Sequence, residues 1–175
     1  MYGVSPQPEQ APDLYVSRHG VMFFDAPRAA FTHLREIARP GAELIFTCFR
    51  SPQENPWASE LASLLKIPPS SDPYAPGPFA FAQEAHVRGI LGDAGWRDIE
   101  MVAADFAYVA GVGDDPVSDA LQFFQRIGPA ASVLRGLEGD AREQALGRVR
   151  TWLERHRSGN LVAFAGAAWI VSAKA

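Results

Sequence analysis

The order of strand-like and helix-like segments predicts an α/β fold: a sheet containing a parallel strand pair, helices on its faces, and a helical insertion before the last strand. Three observations predict it. Asp13 to Arg50 reads strand, tight loop, helix, Pro-Gly turn, strand, and a strand-helix-strand unit on this scale implies a parallel pair joined by a right-handed crossover. Two further strand-like runs, Ile99 to Val109 and Leu161 to Ala173, enclose helix-like sequence from Val117 to His156. The composition, 47% apolar and 21% charged, is that of a globular domain.

Residues 1–12 carry three prolines and little apolar content, which predicts an irregular lead-in. Leu14, Tyr15 and Val16 form a short apolar strand that breaks into a loop at Ser17-Arg18-His19-Gly20. Pro27 opens an amphipathic helix carrying Ala30, Phe31, Leu34 and Ile37 on one face, and Arg39-Pro40-Gly41 ends it. Ala42 to Phe49 reads as a buried strand, followed by a loop at 51–56 and a helix from Trp57 to Leu65. Pro68 to Pro78 contains too many prolines for regular structure, and the segment 51–80 reads as lid-like. Gln83 to Ala94 is a helix closed by Gly95, and Ile99 to Val109 a long strand. Asp115 and Pro116 supply an N-cap and a first helical residue for a helix from Val117 to Leu137, and a second runs from Ala141 to His156. The two make up an insertion spanning 114–158, and Leu161 to Ala173 is the final strand.

At 175 residues the chain is long enough to bury its own core, and a net charge of -4 supplies no broad basic field for nucleic acid. A lone cysteine excludes an internal disulfide, and no long unbroken apolar stretch suggests a membrane span. No export leader is recognisable, which gives a cytoplasmic location as the expectation. Parallel sheets bind ligands beyond the carboxyl ends of their strands, so chemistry is expected at Ser17 to Gly20 and at Phe49 to Trp57.

The run from Asp13 to Asp25, the segment Ala30 to Phe46 with its Arg-Pro-Gly turn, and Glu54-Asn55-Pro56-Trp57 together resemble the second half of class I S-adenosylmethionine-dependent methyltransferases. The likeness is to small-molecule enzymes of the ubiquinone/menaquinone-biosynthesis type and covers 13–175. It implies a partial Rossmann-like sheet, two parallel strands plus an antiparallel carboxyl-terminal pair at one edge, taken from a family sheet of seven strands. It also implies methyl transfer from S-adenosylmethionine to a small-molecule acceptor. On this likeness Ser17, Arg18, His19 and Gly20 line the methionine end of the cofactor, and Phe23, Arg50, Asn55 and Trp57 shape the acceptor pocket. The family's glycine-rich loop and the acidic residue after its next strand do not precede Asp13. The expectation is therefore a carboxyl-terminal portion, incomplete for activity by itself. The first strand would have a side without a partner from this chain, which invites self-association or pairing with another chain.

Each candidate also has a plainer reading. Ser17 and Gly20 can serve only the geometry of a turn, Arg50 can be a solvated strand end and Trp57 a helix anchor. The catalytic residue is not fixed by the sequence; His19 is the candidate because its imidazole takes up a proton near neutral pH. Methyl transfer needs alignment more than a base, so a packing histidine is the competing reading. Ala110-Gly111-Val112-Gly113-Asp114-Asp115 lacks the third glycine of a nucleotide loop and reads as a flexible turn with an N-cap. Arg148, Arg150, Arg155, His156 and Arg157 read as a basic helix end, Cys48 as a buried strand residue. His19, Asp25 and His33 have no metal-ligand spacing, so no metal site is expected. Two other functions compete with methyl transfer: a degenerate or truncated methyltransferase half acting through a partner, and a small-molecule binding module under the proline-rich loop.

Overall fold

The computed structural model describes residues 11–175, so positions 1–10 of the expected lead-in lie outside the described residues. The fold is mixed α/β, with five strands, β1 (Leu14–Arg18), β2 (Glu43–Phe49), β3 (Arg97–Val112), β4 (Arg157–Ser158) and β5 (Leu161–Lys174), in one sheet among the described residues. The helices among the described residues are α1 (Pro27–Ile37), α2 (Pro56–Leu64), α3 (Glu84–Asp93), α4 (Pro116–Arg126), α5 (Gly128–Arg135) and α6 (Gly139–Arg155). The strand order is β1-β2-β5-β3, with β4 paired to β5. β1 and β2 are parallel, in the register Leu14↔Glu43 to Arg18↔Thr47. The last strand lies antiparallel to β2, pairing Glu43↔Lys174 through Phe49↔Ala168.

Two compact units share the chain. The first comprises residues 11–51, 72–104 and 168–175 of the described chain, and its core is aromatic. Phe31 of α1, Phe46 of β2 and Phe81 are almost fully buried, with ring centroids 5.7 to 6.2 Å apart. Aromatic clusters at such spacing add about 0.5–1.5 kcal/mol per pair to the area they bury. Trp96 is tied in by its indole N–H, which donates to the Phe31 carbonyl at 3.0 Å. The second unit comprises 52–71 and 105–167. Phe124, Trp152 and Phe164 form its centre, the last two stacked at 4.7 Å, with Val117, Val149 and Leu153 fully buried beside them.

The first strand is longer than its apolar run, taking in Ser17 and Arg18, because backbone pairing to β2 continues where side-chain hydrophobicity stops. The expected helix Val117 to Leu137 is two helices, broken where Ile127 is extended and Gly128 takes φ 80°. Gly128-Pro129 explains the break, since a residue before proline is pushed out of the helical region. β3 runs to Val112, so Gly111 belongs to the strand and not to a flexible turn. A Cβ at Gly111 would run into the Pro116 carbonyl and come within 2.6 Å of the Ala120 amide, so the glycine is there for close approach of α4. The turn itself falls at Gly113, φ 97°, and Asp115 caps α4 by accepting from the Ser118 amide at 3.0 Å. Arg157 leaves the expected helix end for β4, in a hairpin whose first turn residue, Gly159, has φ 60°.

The expected insertion is filled by α4, α5 and α6. Within 51–80, α2 is helical, and the stretch after it is tied down at several points. The Gly77 amide donates to the Met22 carbonyl at 3.1 Å, Tyr74 stacks on His86 at 3.9 Å and gives its hydroxyl proton to Gln83 at 2.8 Å.

Candidate functional site

The candidate site is built at the carboxyl ends of β1 and β2. After Arg18 the chain stays joined to β2 for one more residue, the His19 amide donating to the Thr47 carbonyl at 3.1 Å. His19 holds φ 54°, a left-handed conformation that costs a residue with a Cβ roughly 1–2 kcal/mol. Its ring offsets part of that by stacking on Phe49, centroids 4.2 Å apart and planes 16° from parallel. The Nδ1 atom is buried without a hydrogen-bond partner. Burial lowers the pKa of His19, and the neighbouring Arg18 cation lowers it further, so the ring is neutral at pH 7.

The register sorts the rest of the strand ends. Arg18 lies beside Thr47 on one face, Ser17 beside Phe46 on the other. Thr47 Oγ1 is a second buried polar atom without a partner. Gly20 lets the chain pass close to Ser17, whose Oγ would lie 3.0 Å from a Cβ built there. A short 3₁₀ turn, Val21–Phe23, follows and leaves Phe23 half exposed while Val21 and Met22 are buried. Past β2, the Arg50 guanidinium sits 5.4 Å above the Trp169 ring, and Trp169 is fixed by donating its indole N–H to the Ala82 carbonyl at 3.0 Å. Ser17, Arg18, His19, Gly20, Phe23 and Arg50 all belong to the first unit.

Asn55 and Trp57 belong to the second unit, and their polar atoms serve its framework. Asn55 is completely buried. Its Oδ1 accepts from the Ala167 amide at 3.0 Å and from the Trp57 indole at 3.1 Å, while its Nδ2 donates to the Ala167 carbonyl at 3.1 Å. The side chain thus imitates a neighbouring strand against β5. Trp57 stacks on Tyr108 at 4.5 Å, planes 5° apart, and burial pushes the Tyr108 hydroxyl up to about 12. In the same unit Glu60 accepts from the Trp152 indole at 2.7 Å and faces His156 at 3.2 Å, beside a shallow cavity of about 360 Å³ that Ser59, Ser63 and Leu64 also line.

Sequence reasoning passed over Thr47, Phe49 as the platform for His19, and Trp169. Thr47 had a usable signal, a hydroxyl residue interrupting the apolar strand Leu44 to Phe49. Trp169 had none, because only the antiparallel return of β5 brings it next to β2.

An amino-acid end such as that of S-adenosylmethionine needs a cation for its carboxylate and acceptors for its ammonium group. Arg18 offers the first; the neutral His19 and the Thr47 hydroxyl, both short of partners, offer the second. The residues present fit that group. Among the described residues no cluster of three His, Cys, Asp or Glu side chains could hold a metal ion, and no helix is long and apolar enough to cross a membrane.

No protein-family model matches the chain, and no curated protein matches it. Solved structures resemble it at low identity. A Bacillus halodurans protein described as a methyltransferase aligns with a TM-score of 0.48 at 10% identity, over 97% of this chain and 75% of its own. Phosphoethanolamine N-methyltransferase 2 of Haemonchus contortus, in complex with phosphomonomethylethanolamine and S-adenosylhomocysteine, aligns at 0.39 and 11% identity, over 93% of this chain and 33% of its own. The 4+2 cyclase SpnF aligns at 0.41 and 15% identity, over 97% of this chain and 52% of its own. This chain thus spans a third of the Haemonchus enzyme and about half of SpnF. All three scores lie below 0.5, so these likenesses do not bear on what the chain does.

Proposed function

We propose that the chain takes part in S-adenosylmethionine-dependent methyl transfer to a small-molecule acceptor, as a class I methyltransferase of the small-molecule type. The observation that carries this reading is the sheet order β1-β2-β5-β3 with the last strand antiparallel to β2. The family likeness implies two parallel strands plus an antiparallel carboxyl-terminal pair at one edge, and the described sheet carries its late strands β5 and β3 beyond the parallel pair, β5 antiparallel to β2. The inference passes through the fold, so the acceptor stays open at the level of chemical class.

When bound, S-adenosylmethionine supplies an electrophilic methyl group, and its sulfur leaves with the bonding electron pair. The protein's own contribution is placement, since alignment of nucleophile and methyl carbon supplies most of the acceleration. Ser17 to Gly20 form the methionine-end contact at the tip of β1, with the left-handed His19 turning the chain across the strand ends. His19, neutral at pH 7 and packed on Phe49, is able to take a proton at Nδ1 from an acceptor hydroxyl or amine. Phe23 and Arg50 lie at the same strand ends and shape the acceptor side.

Calorimetric titration of S-adenosylmethionine into the 175-residue chain tests the reading, with amide spectra recorded on the same sample. Saturable binding with shifts centred on Ser17 to Gly20, weakened at least tenfold by Arg18→Ala, is the expected result. A folded chain that gives neither heat nor shifts at millimolar S-adenosylmethionine overturns it.

A further inference from the structure

Between α2 and α3 the chain from Gly77 to Ala82 folds as two consecutive turns. The Ala80 amide donates to the Gly77 carbonyl at 3.2 Å, and the Ala82 amide to the Phe79 carbonyl at 3.0 Å. Three anchors fix this segment within the first unit. At one end the Gly77 amide donates to the Met22 carbonyl at 3.1 Å, just past the Ser17 to Gly20 loop. At the other the Ala82 carbonyl accepts the Trp169 indole N–H at 3.0 Å, and Trp169 is the ring beneath Arg50. Between them Ala80 and Phe81 are buried, Phe81 against Phe31 and Phe46. Phe79 is thus held by the backbone on both sides, and its half-buried ring meets Phe49, centroids 5.9 Å apart and planes at 45°.

Phe49 is also the platform of His19, and among the described residues it is the one ring that His19 contacts. Phe79 therefore reaches the imidazole only through Phe49. His19 needs such support. Its backbone sits at φ 54° and its Nδ1 is buried without a partner, and strained positions of this kind persist only where the surroundings over-determine them. A Phe49 ring free to turn would release the stack, admit water to Nδ1 and let the backbone relax. We infer that Phe79 is a positioning residue, backing Phe49 so that the His19 imidazole stays seated at the tip of β1 with Nδ1 ready for an acceptor's proton. What His19 does toward an acceptor rests on the methyltransferase reading; its placement by Phe79 does not. The turns that carry Phe79 also carry Ala82, so one short segment supports both the imidazole and the ring beneath Arg50.

The test is a proton NMR titration of the histidine rings in the 175-residue chain without cofactor, the His19 signal being assigned by its absence from His19→Gln. Burial and the Arg18 cation, the charged group that acts on this ring among the described residues, hold its pKa below the ordinary 6.5. Phe79→Ala leaves Arg18 in place and loosens the burial, so the midpoint should rise toward that value while the circular dichroism spectrum stays unchanged. Nuclear Overhauser effects between the His19 and Phe49 rings should be lost in the same variant. Phe79→Tyr retains the ring and should titrate as the parent does. Phe79→Leu keeps apolar bulk without the ring and should move the midpoint in the same direction, which carries the test if the alanine variant does not fold. A merely structural role would lower the unfolding midpoint and leave the His19 titration in place. A folded Phe79→Ala or Phe79→Leu chain in which His19 titrates as in the parent, or a shift that Phe79→Tyr shares, overturns the inference. Loss of the fold in both variants overturns it too, since Phe79 would then be core. A chain that fails to bind S-adenosylmethionine counts against the proposed function alone, because the titration is read without it.

Discussion

Asn55 is the residue whose replacement separates framework from chemistry most cleanly. Its side chain joins the Ala167 amide, the Ala167 carbonyl and the Trp57 indole, all inside the second unit. Asn55→Ala removes from those three buried groups the hydrogen bonds that the Asn55 side chain supplies. A stranded buried polar group costs about 1–3 kcal/mol, and the partial relaxation open to a small side chain puts the total at about 3–6 kcal/mol. That is a large share of the roughly 5–15 kcal/mol that holds a domain together. With a urea slope near 2 kcal/mol per molar, the unfolding midpoint should fall by about 1.5–3 M. Amide exchange reports the same loss locally, at the Ala167 N–H. Asn55→Asp sharpens the test. A protonated carboxyl reproduces the donor and acceptor pattern of the amide, whereas a carboxylate faces the Ala167 carbonyl with no proton between them. Burial raises the folded-state pKa of the new acid above its unfolded value of about 3.9. The folded state then binds more protons, so stability is complete below about pH 4 and declines with rising pH, at most by about 1.4 kcal/mol per unit, until the folded pKa is passed. An Asn55→Ala chain within 1 kcal/mol of the parent, or an Asn55→Asp chain equally stable at pH 4 and pH 7, would refute the clamp and return Asn55 to the list of acceptor contacts.

Three other outcomes are expected. Gly111→Ala should lose about 3 kcal/mol or more in thermal unfolding, above the usual range for a single added methyl because the obstructing atoms are the backbone of α4; a loss below 1 kcal/mol would mean that β3 and α4 can part at no cost. Lys66 has φ 54° at the end of α2, where Ile67 N–H returns to Ala62 O at 2.8 Å, so Lys66→Gly should stabilise by about 0.5–1 kcal/mol, and a lower melting temperature would contradict the assignment. Burial pushes the Cys48 thiol up to about 12, so the folded state keeps a proton that the unfolded chain gives up near pH 9; stability should fall as pH rises between those values, and Cys48→Ala should flatten the fall, leaving the share that Tyr108 adds above pH 10.

Much of this architecture was legible because local chemistry and tertiary packing agree. Pro27 and Pro116 open helices where expected, and Gly95, φ 86°, closes α3 with the Trp96 amide returning to the Leu91 carbonyl at 3.0 Å. The end of α2 has the same geometry, with Lys66 in the place of glycine. Propensity cannot reveal that turn, since nothing local favours a left-handed lysine. The break before α5 is the opposite case. Gly128-Pro129 marked it, but the apolar period of α4 resumes at Ala130, Ala131 and Leu134 and reads as one helix.

The candidate site divides along a similar line. A strand followed by small and charged residues was enough to point to Ser17 to Gly20, because the carboxyl end of a parallel strand is a place that topology alone defines. Asn55 and Trp57 followed the neighbouring strand by the same logic, yet their roles depend on residues 112 and 51 positions further along the chain. A buried asparagine that pairs with Ala167 and a tryptophan stacked on Tyr108 look, in one dimension, like any polar and aromatic residues after a strand. His19 shows what sequence can and cannot carry. Its position at a strand end was readable; its left-handed backbone, its seat on Phe49 and its unpartnered Nδ1 were not, since each depends on β2 lying parallel beside it. Burial and the neighbouring Arg18 cation lower its proton affinity, and that burial is a property of the strand pair rather than of the four-residue motif.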